Sequence, residues 1–465
     1  MISVKDNFGI KGLHLQRVES PCSTVNRVSL RMDPFQRYCN AVNKVSHPSL
    51  QQFKHLLEWS YGYRNIPNSN KSIKRRSPSA GALYPTELLL LTYVEDAWIL
   101  LYYSFAEHHF YRITDIDTDI FLAENSLSKT ESQLYFVSVF TRSVQKYGVR
   151  AYRYAHLDAA CISDTIARFY RSDYPDAPLS IVFPSARLNK KTGFHHGEAI
   201  SFSFILQNRF HIPEIHSYTE PIRTLQNSFS GCAPYASSNL MHVLDFHERA
   251  LSDKAITHEW MFNTKQETCL DYLRLYSDKR ISAQEFQEQP VDILTYSDLC
   301  TSIIPFCLEV NKFLGIQLQI ISLTTCVSGM RAGSAEELVN GQTLQIQADI
   351  KNTMNHILSE ACQHQKIMKN TAFTFIIAIP VHQTSDAGTH LYTKSIIGAG
   401  LICSKLYHLA YQYNIGTTTI GGFSEKMINT IYGNEKVIPL VVQTFGHTDT
   451  TQSKIDAATT LLLNI

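Results

Sequence analysis

Neither sign of charge dominates this chain: 42 Lys and Arg residues stand against 41 Asp and Glu, a net charge of +1 over 465 residues. That balance supplies no general field to draw in nucleic acid or an anionic membrane, so any partner must be recognised locally. Long apolar runs are missing as well. The strongest, Leu88 to Val94 and Phe373 to Val381, fall far short of the ~20 residues of a membrane-spanning helix and read as buried strands. The first residues, with Lys5, Asp6, Lys11 and Arg17, hold no apolar core of the signal-peptide kind, so a cytoplasmic location is expected. Ten cysteines include no C-x-x-C pair and no histidine partners at zinc spacing; they read as reduced, mostly buried thiols, and no metal is expected. His195 and His196 are adjacent, a poor geometry for converging on one ion, and read as loop residues. No G-x-G-x-x-G follows a strand, which argues against a doubly wound dinucleotide fold.

The length suits two or three domains, and 44% hydrophobic with 18% charged residues is ordinary for a globular chain. A degenerate internal repeat organises it. One helix runs through Ala155, Leu157, Ala159, Ala160, Ile162, Ile166 and Phe169, and a second through Ile397, Ala399, Gly400, Ile402, Leu406 and Leu409, each with apolar positions at helical spacing. A single shift of 240 sets Ala399 on Ala159 and Phe423 on Phe183. Apolar runs follow both helices, Ala199 to Leu206 and Val437 to Val442, and others precede them, Leu88 to Val94 and Phe373 to Ile379. Amphipathic helices are expected from Ser49 to Gly62, with Ser49 and Gln52 at capping-box spacing, and from Ala348 to His364. Helices and strands without regular βαβ alternation predict an α+β fold. Residues 1–34 read as an N-terminal extension, 35–225 as a first domain and 226–465 as a second, the boundary lying in the polar stretch from Ser217 to Pro234.

Two segments carry chemistry. In Arg75-Arg76-Ser77-Pro78-Ser79-Ala80-Gly81-Ala82-Leu83-Tyr84-Pro85, small residues let a ligand approach the backbone, and an arginine can pair with a phosphate. The same composition also suits a purely structural turn. In Lys146-Tyr147-Gly148-Val149-Arg150-Ala151-Tyr152-Arg153-Tyr154, Lys146 is either a solvated surface lysine or, if burial and nearby cations make part of it neutral, a general base.

Together these segments resemble the SagB-type azoline dehydrogenases of the nitroreductase-like FMN superfamily. Arg76 to Pro85 is similar to that family's RSPSAGALYP flavin turn, and Lys146 to Tyr154 to its KYGERGYRY segment, departing from it at Val149 and Ala151. Leu101, Tyr102, Tyr103 and His109 resemble its LYHY…H strand pair. In the second half, Ala361-Cys362-Gln363-His364-Gln365 and the stretch from Ile415-Gly416 to Gly421-Gly422-Phe423 resemble the same superfamily. The repeat shift sets Ile181, Val182 and Phe183 of the first half where the second has Gly421, Gly422 and Phe423, and β-branched residues there would obstruct a flavin edge.

The resemblance implies two tandem nitroreductase-like domains, each a mainly antiparallel sheet flanked by helices, forming an intrachain pseudodimer. It implies one FMN, held by Arg75, Arg76, Ser77, Pro78, Ser79, Ala80 and Gly81 from one half and Gly421, Gly422 and Phe423 from the other. Arg76 is the first choice for the phosphate, then Arg75, with Lys454 as an alternative. Lys146 would act as base and Tyr147 as acid or orienting group in oxidising thiazoline or oxazoline rings to azoles, with dioxygen reoxidising the flavin. The expected partners are a precursor peptide and a cyclodehydratase, with room for a homo-oligomer. Two rival readings stay open: an NAD(P)H-dependent nitro or quinone reductase, and a flavin-free scaffold of a peptide-modifying complex.

Overall fold

The computed structural model of this protein describes residues 42–64, 74–105, 107–192, 197–207, 238–260, 269–343, 348–381, 388–431 and 437–448. The expected N-terminal extension, His195, His196, Lys454 and the Ser217 to Pro234 stretch lie outside them. The chain divides into two compact units, Met1–Arg274 and Leu275–Ile465.

The first unit opens with β1 (Lys44–Val45), a 3₁₀ turn (Pro48–Leu50) and α1 (Gln51–Ser60). The capping box read at Ser49 and Gln52 is replaced by another device. His47 caps the 3₁₀ turn, its ring accepting from the Ser49 amide at 3.3 Å, and α1 continues from that turn without a side-chain cap. Pro48 explains the change, since it needs no amide partner at the first turn and its fixed φ favours starting there. A short pair follows, β2 (Tyr63–Arg64) with β3 (Lys74–Arg75). Next come β4 (Thr86–Val94), β5 (Ala97–Ser104), β6 (His109–Arg112), α2 (Asp119–Leu122), β7 (Glu131–Val139), α3 (Thr141–Tyr147) and α4 (Ala151–Asp173). The unit continues with β8 (Leu179–Phe183), α5 (Ala186–Lys191), β9 (Glu198–Gln207), α6 (Ser238–Ala250), β10 (Ile256–Glu259) and α7 (Leu270–Lys279), the last crossing the division.

The strands order as β1-β6-β5-β4-β7-β9-β8-β10, and the described pairings are antiparallel. β4 and β7 lie at the centre and are buried on both faces, which is why Leu88 to Leu91 is a continuous apolar run rather than an alternating one. The first unit runs past the expected boundary because β10 pairs with β8, Ile256 against Phe183, and α6 packs on α3 and α4.

The second unit contains α8 (Ile293–Leu314), β11 (Gln319–Thr324), β12 (Ser334–Glu337), β13 (Gln342–Thr343), α9 (Ala348–Ala361) and β14 (Phe373–Pro380). It ends with α10 (Gly388–Gln412), β15 (Gly416–Ile420), α11 (Glu425–Ile431) and β16 (Val437–Gly446). Its sheet order, β13-β12-β11-β14-β16-β15, repeats the connectivity of β6-β5-β4-β7-β9-β8, with α10 standing where α4 stands. Even the irregularity recurs: the register slips between Phe136 and Val137 against β9, and between Ile377 and Ala378 against β16.

The topology shows which strands correspond, Leu88 to Val94 (β4) with β11 and Phe373 to Ile379 (β14) with β7, and it corrects the alignment of Phe423 on Phe183. At the far end β8 stops at Phe183 but β15 at Ile420, so Ile181 and Val182 are strand residues rather than counterparts of the glycines. Each strand is followed by a serine that caps the next helix: Ser185 accepts from the Leu188 amide at 3.2 Å, and Ser424 from the Met427 amide at 3.4 Å. Pro184 alone separates strand from cap in the first unit, whereas Gly421, Gly422 and Phe423 do so in the second. The glycines are therefore an insertion.

By length and composition α8 is apolar enough to cross a membrane, at a mean hydropathy of 1.3, a run the sequence reading passed over. Its side chains explain it otherwise. Tyr296, Leu299, Ile303, Phe306, Val310 and Leu314 form a buried stripe at helical spacing, while Asp298, Thr301, Glu309 and Lys312 are exposed together with Ile293, Leu294 and Leu308. α8 packs on α10 and β11.

Candidate active site

The serine-rich bend connects β3 to β4, and a single buried carboxylate fixes both of its ends. Glu87, at the start of β4, accepts from Arg75 Nη2 at 3.1 Å and from Arg142 Nη1 at 2.5 Å. Arg142 also donates to the Tyr84 carbonyl at 2.6 Å, and the Arg75 amide donates to the Tyr84 hydroxyl at 3.1 Å. The Arg75 guanidinium further reaches the Tyr61 hydroxyl and lies 3.6 Å from the Phe105 ring centre. Burial would push the Glu87 carboxyl up, but Arg142 and Arg75 outweigh it and hold the group below its ordinary value. For Arg75 burial likewise opposes the charge, and Tyr61 and Glu87 more than compensate.

Between those fixed ends the backbone turns through three residues at positive φ: Gly81 at 62°, Ala82 at 56° and Tyr84 at 50°. The absence of a side chain at Gly81 matters for a second reason. A Cβ there would run into the Tyr147 hydroxyl and stand 2.6 Å from Lys146 Nζ. The two motifs, more than sixty residues apart in sequence, thus meet within one unit.

Lys146 and Tyr147 end α3 and project toward the bend because Gly148, at φ 56°, breaks the helix and starts the turn into α4. The Tyr147 ring stands edge-on to Tyr154, their centres 4.7 Å apart. Burial, then Tyr154 and Asp158, push its hydroxyl well above the ordinary tyrosine value, so it stays protonated. Lys146 is exposed, so the burial that would make it a base does not come from the protein's own packing here. Asp158 on α4 is a participant that the sequence reading missed. Its Oδ2 accepts from Ser79 Oγ at 2.5 Å and its Oδ1 from the Ala80 amide at 3.3 Å, while Ser79 Oγ accepts from the Tyr84 amide at 2.9 Å. Glu87 and Arg142 were missed for the same reason: a lone charged residue in an apolar segment shows its partner only after folding.

Both arginines turn out to be buried. Arg75 is spent on Glu87, and Arg76, 6% exposed, stacks its guanidinium 4.3 Å from the Trp59 ring centre. α1 supplies Trp59, and β4 supplies Glu87, to take them. Pro78, Ser79 and Ala80 are partly buried, and Gly81 is exposed. Ser77 Oγ is buried with no hydrogen-bond partner among the described residues.

In the second unit, the diglycine turn follows β15. The Gly422 carbonyl accepts from Gln365 Nε2 at 3.3 Å, and the Ser424 amide donates to the Ala361 carbonyl at 2.7 Å. The Phe423 ring is 1% exposed and packs in the core with Leu358, Cys362 and Ile428. It anchors the turn.

No protein-family model matches the chain, and no curated protein does. Among solved structures, a protein described as a nitroreductase from Anabaena variabilis superposes with a TM-score of 0.65 at 18% identity, over 89% of this chain and 91% of its own. The chain has the nitroreductase fold. That likeness runs through both units. Smaller overlaps occur with the E. coli microcin synthetase McbBCD complex with truncated pro-MccB17 bound, and with nitroreductase A from Vibrio parahaemolyticus. The first has a TM-score of 0.32 at 13% identity, over 37% of this chain and 70% of that one. The second has a TM-score of 0.26 at 16% identity, over 37% and 65%.

Proposed function

We propose that this chain is an FMN-dependent dehydrogenase that oxidises thiazoline or oxazoline rings of a ribosomally made peptide to azoles. The observation that carries the reading is the meeting of Lys146, Tyr147 and Gly81 in the first unit, the residues on which the sequence resemblance rests. The residues fit a flat anionic cofactor: a side-chain-free position at Gly81, an orphaned hydroxyl at Ser77 and the Lys146 cation border one bend. Ser77 and the bend backbone would hold FMN, which supplies the hydride acceptor when bound.

Lys146 removes the ring proton as the hydride leaves. Because it is exposed in the chain alone, the flat ligand stacked over it must exclude the water that keeps it charged. Tyr147 remains protonated and donates a hydrogen bond that orients the ring. Gly81 keeps the backbone clear so that the proton moves over a short distance. The peptide and a ring-forming cyclodehydratase are the proposed partners.

The test is oxygen-dependent turnover of an azoline-bearing peptide by yellow protein, each ring losing two hydrogens by mass. Lys146→Ala should keep the flavin and lose about 10²–10⁴-fold in kcat. Rapid bleaching by NADPH without azoline turnover would establish a reductase instead, and a colourless protein that still binds the peptide would establish a scaffold.

A further inference from the structure

The bend that meets Lys146 and Tyr147 hangs on a carboxylate that belongs to neither motif. Asp158 uses both oxygens, one on the Ser79 hydroxyl and one on the Ala80 amide, and Ser79 passes the hold on to the Tyr84 amide. One side chain on the long helix α4 therefore ties down the bend on both sides of Gly81. We propose that Asp158 is a positioning residue: as a carboxylate it fixes the serine-rich bend against Lys146 and Tyr147, and a proton on it weakens that hold and loosens the seat of the flavin and substrate. The link to flavin and substrate rests on the function proposed above; the hold on Ser79 and Ala80 does not.

The chemistry of the carboxyl group requires two states. An ionised carboxylate only accepts, and here it is given two donors. A proton on Oδ1 would face the Ala80 N–H with another donor; a proton on Oδ2 instead reverses the Ser79 hydrogen bond, Oδ2 now donating to Ser79 Oγ, and leaves Ala80 a neutral acceptor. Either way the hold on the bend loses the charge assistance of the carboxylate and weakens. Both states are within reach near neutrality, because burial pushes the Asp158 carboxyl up to about 7 while the Ser79 and Ala80 contacts pull it back. Among the described residues the titratable group that interacts with it is Tyr147 at the end of α3, whose ring in turn stands against Tyr154. The bend contributes only its hydroxyl and amide.

The experiment uses the full chain as purified and follows two readouts from about pH 5.5 to about pH 8.5, a window spanning that titration. One is hydrogen exchange of the peptide covering Ser77 to Tyr84, divided by the intrinsic rate; the other is the FMN dissociation constant. Wild type should show a transition near neutrality, the bend exchanging about ten-fold faster on the acid side, as hydrogen bonds to a charged group become neutral ones. Flavin affinity should weaken in parallel. Asp158→Asn, a mimic of the protonated form, should exchange fast throughout with no transition. Ser79→Ala removes a contact that holds the carboxyl down, so it should move the transition to higher pH, a second test that leaves the Asp158 carboxyl in place. A transition that keeps its wild-type midpoint in both variants overturns the proposal. If the transition appears in protein that binds no FMN, the positioning role stands and the flavin reading falls.

Discussion

Gly81 combines two demands, a φ of 62° and a missing Cβ whose place the Tyr147 hydroxyl and the Lys146 amine already occupy. Gly81→Ala should cost about 1 kcal/mol in denaturant unfolding from the backbone alone. Its larger effect should be on turnover, about a hundred-fold, because the Lys146 amine is pushed off line. A stability loss without an activity loss would separate the bend from the chemistry. Glu87 is the other single point on which the bend depends. Glu87→Ala leaves Arg75 and Arg142 buried without their carboxylate and should cost about 3–5 kcal/mol, measurable as an earlier urea transition of the first unit. Asp158 runs the opposite way. At about 1.4 kcal/mol per pH unit, the rise of its carboxyl from 3.8 to about 7 corresponds to about 4 kcal/mol of strain in the charged form. Above pH 7 the group is ionised folded and unfolded, and that cost is present in full; as the pH falls toward 3.8 the folded chain takes the proton first and regains stability. Asp158→Asn should therefore raise stability at about pH 8 by up to about 4 kcal/mol, a gain that vanishes in acid.

At the scale of elements, the helices α4 and α6 share a pair of buried imidazoles, His156 and His247, with ring centres 5.5 Å apart. Burial, and then the neighbouring His247, push His156 down to about 3; burial pushes His247 down to about 4. In the unfolded chain both take protons below about 6.5, and in the folded chain neither does until about pH 4. Stability must fall as the pH drops through that window, by about 1.4 kcal/mol per pH unit for each ring. His247→Gln should remove one share of that slope in urea titrations at about pH 6.5 and about pH 5; an unchanged slope would show that the imidazoles are not the acid-sensitive groups. The element reading from sequence held where the pattern was strong. Periodicity located α4 and α10, and apolar runs located β4, β9, β14 and β16. It failed at the start of α1, where His47 and Pro48 displaced the expected cap, and at the ends of the repeat, where two inserted residues broke a constant offset.

Across the whole molecule the same strand order appears twice, yet the serine-rich bend and the Lys146–Tyr147 pair occur only in the first unit, and the adjacent glycines only in the second. With each motif present once, titration with FMN should saturate at one equivalent per chain; two equivalents would require a second site built from other residues. The Anabaena variabilis structure covers both units, so the duplication belongs to the fold as a whole rather than to one end of the chain.

The amino-acid pattern by itself determined the α+β class, the duplicated framework and the two segments that border the candidate site, because periodicity and short motifs are local properties. Tertiary structure decided which cations remain for a ligand and what holds the bend. Arg75 and Arg76 are neighbours in sequence, yet folding pairs one with Glu87 and stacks the other on Trp59. Asp158 is an ordinary acidic residue in a helix until folding sets it under Ser79 and Ala80, since a buried charge takes its meaning from the donors that reach it.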